Sequence, residues 1–233
     1  MHQIITLGGG GFSMEPDNLA LDRYILAQSG KPRPRVCFVP TASGDSERYM
    51  LNFFRAFSTL DCVPSTLHLF PMPPVRDLEA FVLAQDVIYV GGGSTRNLIA
   101  LWREWKLDAI FRKAYEAGVL LCGISAGMNC WYEQCITDSW SPALDPMDCL
   151  GFLPGSACPH YDGEPLRKPR YRQLIEEGAL KAGYAADDGA ALHWIDGSLH
   201  TTVASRPGAR AYACGMQNGA FVSLELPVVN LAA

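Results

Sequence analysis

The chain has 233 residues, a formal net charge of −5, 48% hydrophobic residues and only 18% charged residues. A chain this apolar and this weakly charged can bury enough surface to fold, so its composition excludes intrinsic disorder, and its length suits a single domain over residues 1–233. The mild acidity and the absence of a basic stripe argue against nucleic acid as a partner.

Short aliphatic runs alternate with helical patterns in the first half of the chain. The predicted strands are 3–7, 35–39, 65–70, 87–90 and 119–124. Apolar residues at three-to-four spacing predict helices over 16–28, 45–58, 75–85 and 94–117, the last with a break near Trp105 and Lys106. The alternation predicts an α/β fold, in which helices cover both faces of a mostly parallel sheet.

The pattern changes after Asp138. Proline, glycine and aspartate crowd residues 139–165, a helix is predicted over 170–178, and short strands follow from Tyr184 onward. Asp196-Gly197 lies between two apolar runs, which is a strong hairpin signal. Two further strands are predicted at 210–214 and 221–226. Together these strands predict a short antiparallel C-terminal extension of the sheet.

The most informative motif is Gly-Ile-Ser-Ala-Gly, with Ser125 at its centre. A buried strand precedes it and a helix is predicted to begin near Met128, which is the context that a nucleophile elbow requires. The Ala126 N–H would then point to where an oxyanion develops, reinforced by the positive end of the helix. The alternative is that these small residues only let a helix pack closely against a strand.

A catalytic serine needs a base and an acid. Of the five histidines, His160 follows a short apolar strand in a loop, where catalytic bases are common; the alternative is a loop histidine without a task. Asp187 and Asp188 lie between two apolar strands, and we expect one of them to be a turn former. The order Ser, His, acid differs from that of α/β-hydrolases.

Two glycine clusters, 8–11 and 91–93, each follow a predicted strand and precede a helix. Neither completes Gly-x-Gly-x-x-Gly, because Ser13 and Arg96 occupy the third positions, so dinucleotide binding is weakly supported. An N–H of the second cluster beside the Ala126 N–H would make a two-donor oxyanion hole. The first cluster is expected to shape a loop over the carboxyl edge of the sheet.

No cofactor and no metal are predicted. Cys158, His160 and Asp162 could share an ion, but no second cluster supplies a fourth ligand at a recognisable spacing. The eight cysteines include no Cys-x-x-Cys pair and are expected to be small core residues. No run reaches the roughly 18 apolar residues of a membrane span, and the first residues lack a secretory signal, so we expect a cytoplasmic protein without a membrane partner.

Four motifs in this order resemble the dipeptidase E family of serine peptidases, which includes the cyanophycinases. They are Val-Gly-Gly-Gly-Ser-Thr at 90–95, Gly-Ile-Ser-Ala-Gly at 123–127, Cys-Pro-His-Tyr at 158–161 and the acidic pair before Gly189. The resemblance covers nearly the whole chain. It implies a fold like that of class I glutamine amidotransferases, a flavodoxin-like sheet with the nucleophile at an elbow.

The resemblance also implies roles for residues. Ser125 would be the nucleophile, His160 the base and Asp188 the third member of the triad, while the N–H groups of Gly93 and Ala126 would form the oxyanion hole. Asp188 stands where the enteric dipeptidase E has a glutamate, one methylene longer. Ser94 replaces the asparagine that usually follows the third glycine, and Asp138 resembles an aspartate near the family's site, with no role assigned.

The family's dipeptidases cleave after an N-terminal aspartate without a metal. Such specificity needs a cation for the side-chain carboxylate and an anion for the amino terminus. The candidates for the cation are Arg167, Arg170 and Arg172. The alternative is that these arginines form a solvated basic helix face.

The sequence thus predicts a serine peptidase that hydrolyses small peptides, dipeptides with an acidic first residue in particular, through an acyl-enzyme. The alternative is a catalytically idle module that holds a small anion or peptide in the same cleft. A cysteine-based amidotransferase is disfavoured, because the elbow residue is Ser125 and Cys122 points into the core. The oligomeric state is open, with a homodimer among the options.

Overall fold

The computed structural model describes residues 1–231; residues 232 and 233 of the predicted domain lie outside this range. The strands are β1 Gln3–Leu7, β2 Arg35–Val39, β3 Val63–Thr66, β4 Val87–Val90, β5 Leu120–Ile124, β6 Tyr132–Thr137, β7 Asp145–Asp148, β8 Leu153–Cys158, β9 Gly183–Ala186, β10 Ala190–Ile195, β11 Ser198–Ala204, β12 Ala211–Gln217, β13 Ala220–Glu225 and β14 Val228–Asn230. The helices are α1 Gly11–Met14, α2 Ala20–Gln28, α3 Glu47–Phe57, α4 Leu78–Leu83, α5 Thr95–Glu104, α6 Leu107–Glu116, α7 Ala126–Asn129 and α8 Arg167–Glu176, with a 3-10 turn at Thr41–Ser43.

The larger sheet has eight strands in the order β14-β11-β10-β1-β5-β4-β2-β3. Five of these strands, β1, β5, β4, β2 and β3, are parallel to one another, as the strand-helix alternation predicts. Strands β10 and β11 form the hairpin predicted at Asp196-Gly197, and β10 runs antiparallel to β1. The α/β prediction and part of the C-terminal extension are confirmed.

A second sheet of six strands, in the order β13-β12-β9-β8-β6-β7, was not predicted. Strands β6, β8 and β9 are parallel neighbours, whereas β7, β12 and β13 are antiparallel to theirs. The prediction that the last two of these strands extend the first sheet is therefore wrong. Strand β12 pairs with β9, and β13 pairs with β12, so both strands belong to the second sheet.

The core lies on both faces of the larger sheet. On one face, α2 and α3 pack an aromatic cluster that includes Phe12, Phe38 and Phe53. On the other face, α5 and α6 and the second sheet bury Trp102 and Trp131. Each large side chain removed from water in this way contributes about 1.5–3 kcal/mol, so both faces stabilise the sheet that carries the site.

Several element boundaries differ from their predictions. The third strand ends at Thr66, short of the predicted 70, because the N–H groups of Leu69 and Phe70 bind the Asp45 carboxylate outside the sheet. The break near Trp105 and Lys106 is confirmed, with Lys106 at a φ of 59° between α5 and α6. Helix α8 begins at Arg167, three residues before the predicted start.

Candidate active site

Ser125 lies between β5 and α7 in a strained conformation, with φ 59° and ψ −111°. A positive φ is costly for any residue other than glycine and is typical of functional turns. The turn requires small neighbours, since a Cβ on Gly127 would overlap the Val90 carbonyl and one on Gly123 would lie 2.5 Å from the Gly127 oxygen. Helix α7 begins at Ala126, slightly before the predicted start near Met128, and has only four residues, so stabilisation of an oxyanion here would depend on individual N–H groups and little on a helix dipole.

The second glycine cluster lies beside Ser125. A Cβ on Gly92 would come within 3.2 Å of the Ser125 Cβ, and the Gly92 N–H donates to the Tyr49 hydroxyl at 3.2 Å. Among residues 1–231, the N–H groups of Gly93 and Ala126 have no hydrogen-bond acceptor. Gly93 adopts a φ of 135°, and a side chain there would overlap the Ala42 carbonyl. Two N–H groups without an acceptor in this range therefore belong to residues that directly follow Ser125 and Gly92 in the chain.

His160 and Asp188 form a close pair. Nδ1 of His160 lies 2.6 Å from Oδ1 of Asp188, and the two side chains are 14% and 18% exposed. A carboxylate at Nδ1 holds that nitrogen protonated and leaves Nε2 free to accept a proton. His160 has a φ of 53°, a second strained residue in the same region. The sequence did not decide between the two neighbouring acids, and Asp188 is the one that contacts the imidazole.

Asp187 has a different environment. It is buried, its Oδ2 accepts from the Arg210 N–H at 3.0 Å, and its carbonyl accepts from Ala190 N–H to close the turn into β10. Burial, assisted by the charge of Asp162, raises the pKa of Asp187 to about 6. Asp187 thus acts on the turn and its register, as expected for one of the two acids.

The carboxyl end of β1 brings these segments together. Three consecutive carbonyls of the chain accept three main-chain hydrogen bonds. The carbonyl of Leu7 accepts from Ser125 N–H at 3.1 Å, that of Gly8 from His160 N–H at 3.2 Å, and that of Gly9 from Gly189 N–H at 3.1 Å. The serine, the histidine and the residue after the acid are therefore held along three successive residues.

The glycines of the first cluster also make room for the acid. A Cβ on Gly9 would overlap Oδ1 of Asp188, and a Cβ on Gly163 would lie 2.5 Å from its Oδ2. The carboxylate of Asp188 thus fits between two glycine backbones. The first cluster does more than shape a loop over the sheet edge, which was the expectation from the sequence.

Within the described part of the chain, Ser125 Oγ makes no hydrogen bond to the His160 imidazole. Such a bond is often long without substrate and shortens when the substrate binds. The grouping of Ser125, His160 and Asp188 is supported by the hydrogen bonds to the carbonyls of residues 7–9 and by the contact between the His160 imidazole and the Asp188 carboxylate.

The residues predicted to bind the substrate lie in the segment after β6, which carries Asp138, and in helix α8, which follows His160. Arg167 is buried and binds Glu164 at 2.7 Å and the Ile136 carbonyl at 3.3 Å. Arg170 binds Asp145 and the Leu144 carbonyl, and it lines a pocket of about 580 Å³ together with the exposed Asp138. Arg172 pairs with Glu176 on the exposed side of α8, as the basic-face alternative predicts.

Three residues of the candidate site were not singled out from the sequence, namely Tyr49, Gly163 and Arg206, and a fourth, Asp162, was considered only as a possible metal ligand. Their contacts with Gly92 and Asp188 join segments far apart in the chain. Asp162 carries a weak local signal, because aspartate in a loop commonly accepts from main-chain N–H groups. The others lack any pattern in the sequence that connects them to the site.

All eight cysteines are buried, as their apolar surroundings predict. Burial raises the pKa of the Cys122 thiol well above its ordinary value, so this neighbour of the elbow stays protonated and unreactive. Among residues 1–231, no cluster of three or more His, Cys, Asp or Glu side chains has a metal-binding arrangement. In the same range, no helix combines the length and apolar character needed to cross a membrane.

Comparison with known proteins identifies the family. The model of peptidase family S51 matches residues 4–202. The chain is 59% identical over 231 residues to an uncharacterized peptidase, YgaJ, of Bacillus subtilis strain 168, covering 99% of this chain and all of that protein. It is 31% identical over 154 residues to peptidase E of Streptomyces coelicolor, covering 61% of each chain.

Solved structures show the same fold. A crystal structure of a peptidase from an acI-B1 Actinobacterium superposes with a TM-score of 0.71 at 16% identity, covering 98% of this chain and 95% of the other. A putative peptidase E from Listeria monocytogenes EGD-e gives a TM-score of 0.62 at 19% identity, covering 87% and 98%. The sequence matches favour an enzyme over the idle binding module: this chain belongs to peptidase family S51 and is a serine peptidase.

Proposed function

We propose that the protein hydrolyses dipeptides with an acidic first residue through a triad of Ser125, His160 and Asp188. The observation that carries this proposal is the row of three carbonyls at residues 7–9, which bind the main chain at or beside all three residues. Side chains anchored to one short rigid segment can act together, although they come from distant parts of the sequence.

In the first step, Nε2 of His160 takes the proton of Ser125, and the Ser125 oxygen attacks the scissile carbonyl carbon. The resulting oxyanion accepts hydrogen bonds from the N–H groups of Gly93 and Ala126. Asp188 keeps the proton on Nδ1 and stabilises the imidazolium, a role supported by the 2.6 Å contact.

Collapse of the tetrahedral intermediate breaks the peptide bond. His160 gives its proton to the leaving amine, and the first residue of the substrate remains as an ester on Ser125. Water, deprotonated by His160, then attacks this ester, and the serine leaves with the proton restored. Two donors that need no reorganisation stabilise both oxyanions, which is the largest single contribution in acyl transfer.

The pocket that Asp138 and Arg170 line is the proposed binding site for the amino terminus and the side-chain carboxylate of the substrate's first residue. Asp138 is exposed, and its carboxylate suits a free amino terminus; Arg170 is the cation in this pocket that suits a substrate carboxylate. Its existing contacts with Asp145 and Leu144 hold the guanidinium in place at the pocket wall. Arg167 and Arg172 do not line this pocket and are the weaker candidates.

Covalent labelling tests the nucleophile. A fluorophosphonate should form one adduct, and peptide mapping should find it on Ser125. The Ser125→Ala variant should lose both labelling and turnover, while Ser198→Ala, a change on an exposed strand end, should keep both. Labelling that persists in Ser125→Ala would exclude Ser125 as the nucleophile.

A dipeptide panel tests the substrate class. Asp-x and Glu-x dipeptides with a free amino terminus should be cleaved faster than neutral ones, and blocking the amino terminus should abolish cleavage. The Arg170→Gln variant should raise KM for acidic dipeptides more than for neutral ones. Equal rates on blocked and free peptides would point to an endopeptidase or esterase, with the triad proposal unaffected.

A further inference from the structure

Two side chains outside the proposed triad hold the main chain of Asp188. The Asp188 N–H donates to Oδ1 of Asp162 at 2.8 Å. The Asp188 carbonyl accepts from Nε and Nη2 of Arg206 at 3.1 Å and 2.7 Å. Both polar main-chain groups of this one residue are thus bound by side chains from two other loops.

Arg206 connects three loops of the site. Its guanidinium lies 3.5 Å from Oε1 of Glu15 and 3.5 Å from Oδ2 of Asp162. The neighbouring Ser205 hydroxyl donates to the second oxygen of Glu15 at 2.6 Å. Glu15 follows helix α1, which begins at the end of the first glycine cluster, and Asp162 is two residues after His160. One cation therefore joins the glycine loop, the base loop and the acid loop.

These contacts contribute more to geometry than to stability. The Arg206 side chain is 47% exposed, and ion pairs this exposed stabilise a fold by about 0–1 kcal/mol. The position of a short aspartate carboxylate, in contrast, follows directly from the position of its main chain. A displacement of about 1 Å at a reacting group can cost about 100-fold in rate.

The guanidinium suits this task better than an ammonium group. Its planar fork donates two hydrogen bonds to one carbonyl and still reaches the neighbouring carboxylates, whereas lysine offers a point charge on a flexible stem. Glu15 and Asp162 each place a carboxylate oxygen 3.5 Å from the guanidinium, so Arg206 offsets the repulsion between these two side chains.

We propose that Arg206 and Asp162 are positioning residues, which fix the main chain of Asp188 so that its carboxylate meets Nδ1 of His160. This inference rests on the proposed triad. Both residues should therefore affect the reaction only through the Asp188 carboxylate.

The direct test measures the second-order rate of fluorophosphonate labelling, together with kcat and KM on the best dipeptide. Arg206→Met and Asp162→Ala should each lower the labelling rate and kcat about 10- to 100-fold, with KM unchanged. Asp162→Asn keeps an oxygen that can accept from the Asp188 N–H and should retain most of the rate. Arg206→Lys keeps the charge but loses the fork, and should fall between wild type and Arg206→Met.

Matched controls come from Arg33 and Asp61, an exposed ion pair with side chains 69% and 82% exposed. Arg33→Met and Asp61→Ala should leave labelling unchanged. Circular dichroism and thermal melting establish that each variant is folded. If Arg206→Met does not fold, the comparison of Asp162→Ala with Asp162→Asn decides the question.

A double-mutant cycle separates positioning from a general structural effect. In an Asp188→Ala background, Arg206→Met and Asp162→Ala should cause no further loss, because the carboxylate that they position is absent. An equal loss in both backgrounds would overturn the inference, and so would an unchanged rate in folded single variants. If Asp188→Ala itself labels at the wild-type rate, the proposed triad fails, and the inference with it.

Discussion

The two sheets contribute different chemistry to the candidate site. The larger sheet supplies Ser125 and the glycine loops, with donors and acceptors that carry no charge. The smaller sheet supplies the titratable groups: β8 leads to His160 and β9 leads to Asp188, and these two strands are parallel neighbours. The titratable side chains thus follow strands of the smaller sheet, whereas the strained turn at Ser125 follows a buried strand of the larger sheet.

The candidate site lies where the carboxyl ends of strands from both sheets meet. Parallel neighbours present their carboxyl ends at one edge, so His160 and Asp188 emerge together. The end of β1 meets this edge, and the carbonyls of Leu7 and Gly8 bind the main chain of Ser125 and of His160. If the two sheets depend on each other at this junction, a change in one sheet should impair the groups that the other sheet supplies.

The largest loss of activity is expected when His160, the proposed catalytic base, is replaced. His160→Ala should lower kcat/KM by about 10⁶-fold, because the serine loses its proton acceptor. His200→Ala, an exposed histidine on β11, is the control and should keep full activity. A His160→Ala enzyme within tenfold of wild type would contradict the comparison, since the smaller sheet would then supply no base.

Replacing each of the two adjacent acids, Asp187 and Asp188, should have clearly different effects on kcat. Asp188→Asn should lower kcat by about 10⁴-fold, because an amide no longer holds the imidazole in the required tautomer. Asp187→Asn should stay within tenfold of wild type, because this carboxylate binds the Arg210 N–H and does not contact His160. Steady-state rates decide the question, and the reverse order would transfer the third role to Asp187.

A methyl group added at Gly9, after β1 of the larger sheet, should displace the carboxylate of Asp188, which follows β9 of the smaller sheet. Gly9→Ala would place a Cβ where Oδ1 of Asp188 lies and should lower kcat about 100-fold. The control is Gly30→Ala, where a Cβ meets nothing within 4 Å. An unchanged kcat in Gly9→Ala would show that the glycine loop and the acid are independent.

The smallest effect concerns a buried acid in the larger sheet's core. Burial raises the pKa of Asp22 from 3.8 to about 7, although its Oδ2 accepts from the Phe12 N–H. Its contribution to stability is fully present below pH 3.8 and is lost as the pH rises through about 7. Urea unfolding of wild type should therefore give a lower free energy of unfolding at about pH 8 than at about pH 5.

The Asp22→Asn variant should show a smaller decrease over the same pH range. Its amide oxygen can still accept from the Phe12 N–H, and its NH₂ group can donate to the Tyr89 hydroxyl, which interacts with the Asp22 carboxyl in wild type. Asp187, with a pKa raised to about 6, retains a dependence of the same sign in both proteins. Equal slopes for wild type and variant would contradict the role given to Asp22.

Sequence patterns predicted the larger sheet well, for a physical reason. Strands β1, β2 and β4 agree with prediction to the residue, because strands buried on both faces are continuous apolar runs between turn signals. The strand-to-turn context also predicted the conformation around Ser125, since few backbones accommodate Gly-x-Ser-x-Gly after a buried strand.

The smaller sheet was not predicted as a separate sheet. Its strands β12 and β13 were predicted but assigned to the larger sheet, whereas β6 and β7 were missed because they lack such patterns. Strand β6 carries Glu133 and Gln134 side by side, and β7 is Asp-Pro-Met-Asp, which resembles a turn. The contacts of Asp162 and Arg206 with Asp188 depend on folding together distant segments. No local periodicity encodes such contacts, so they emerge only in the folded structure.

The most direct test of the central claim compares the three single alanine variants of Ser125, His160 and Asp188 with the triple variant, using kcat on one dipeptide. If the three side chains act as a unit across the two sheets, removing Ser125 or His160 alone should cost about as much as removing all three, roughly 10⁶-fold. Losses that multiply independently, or a His160 variant as active as wild type, would contradict the account.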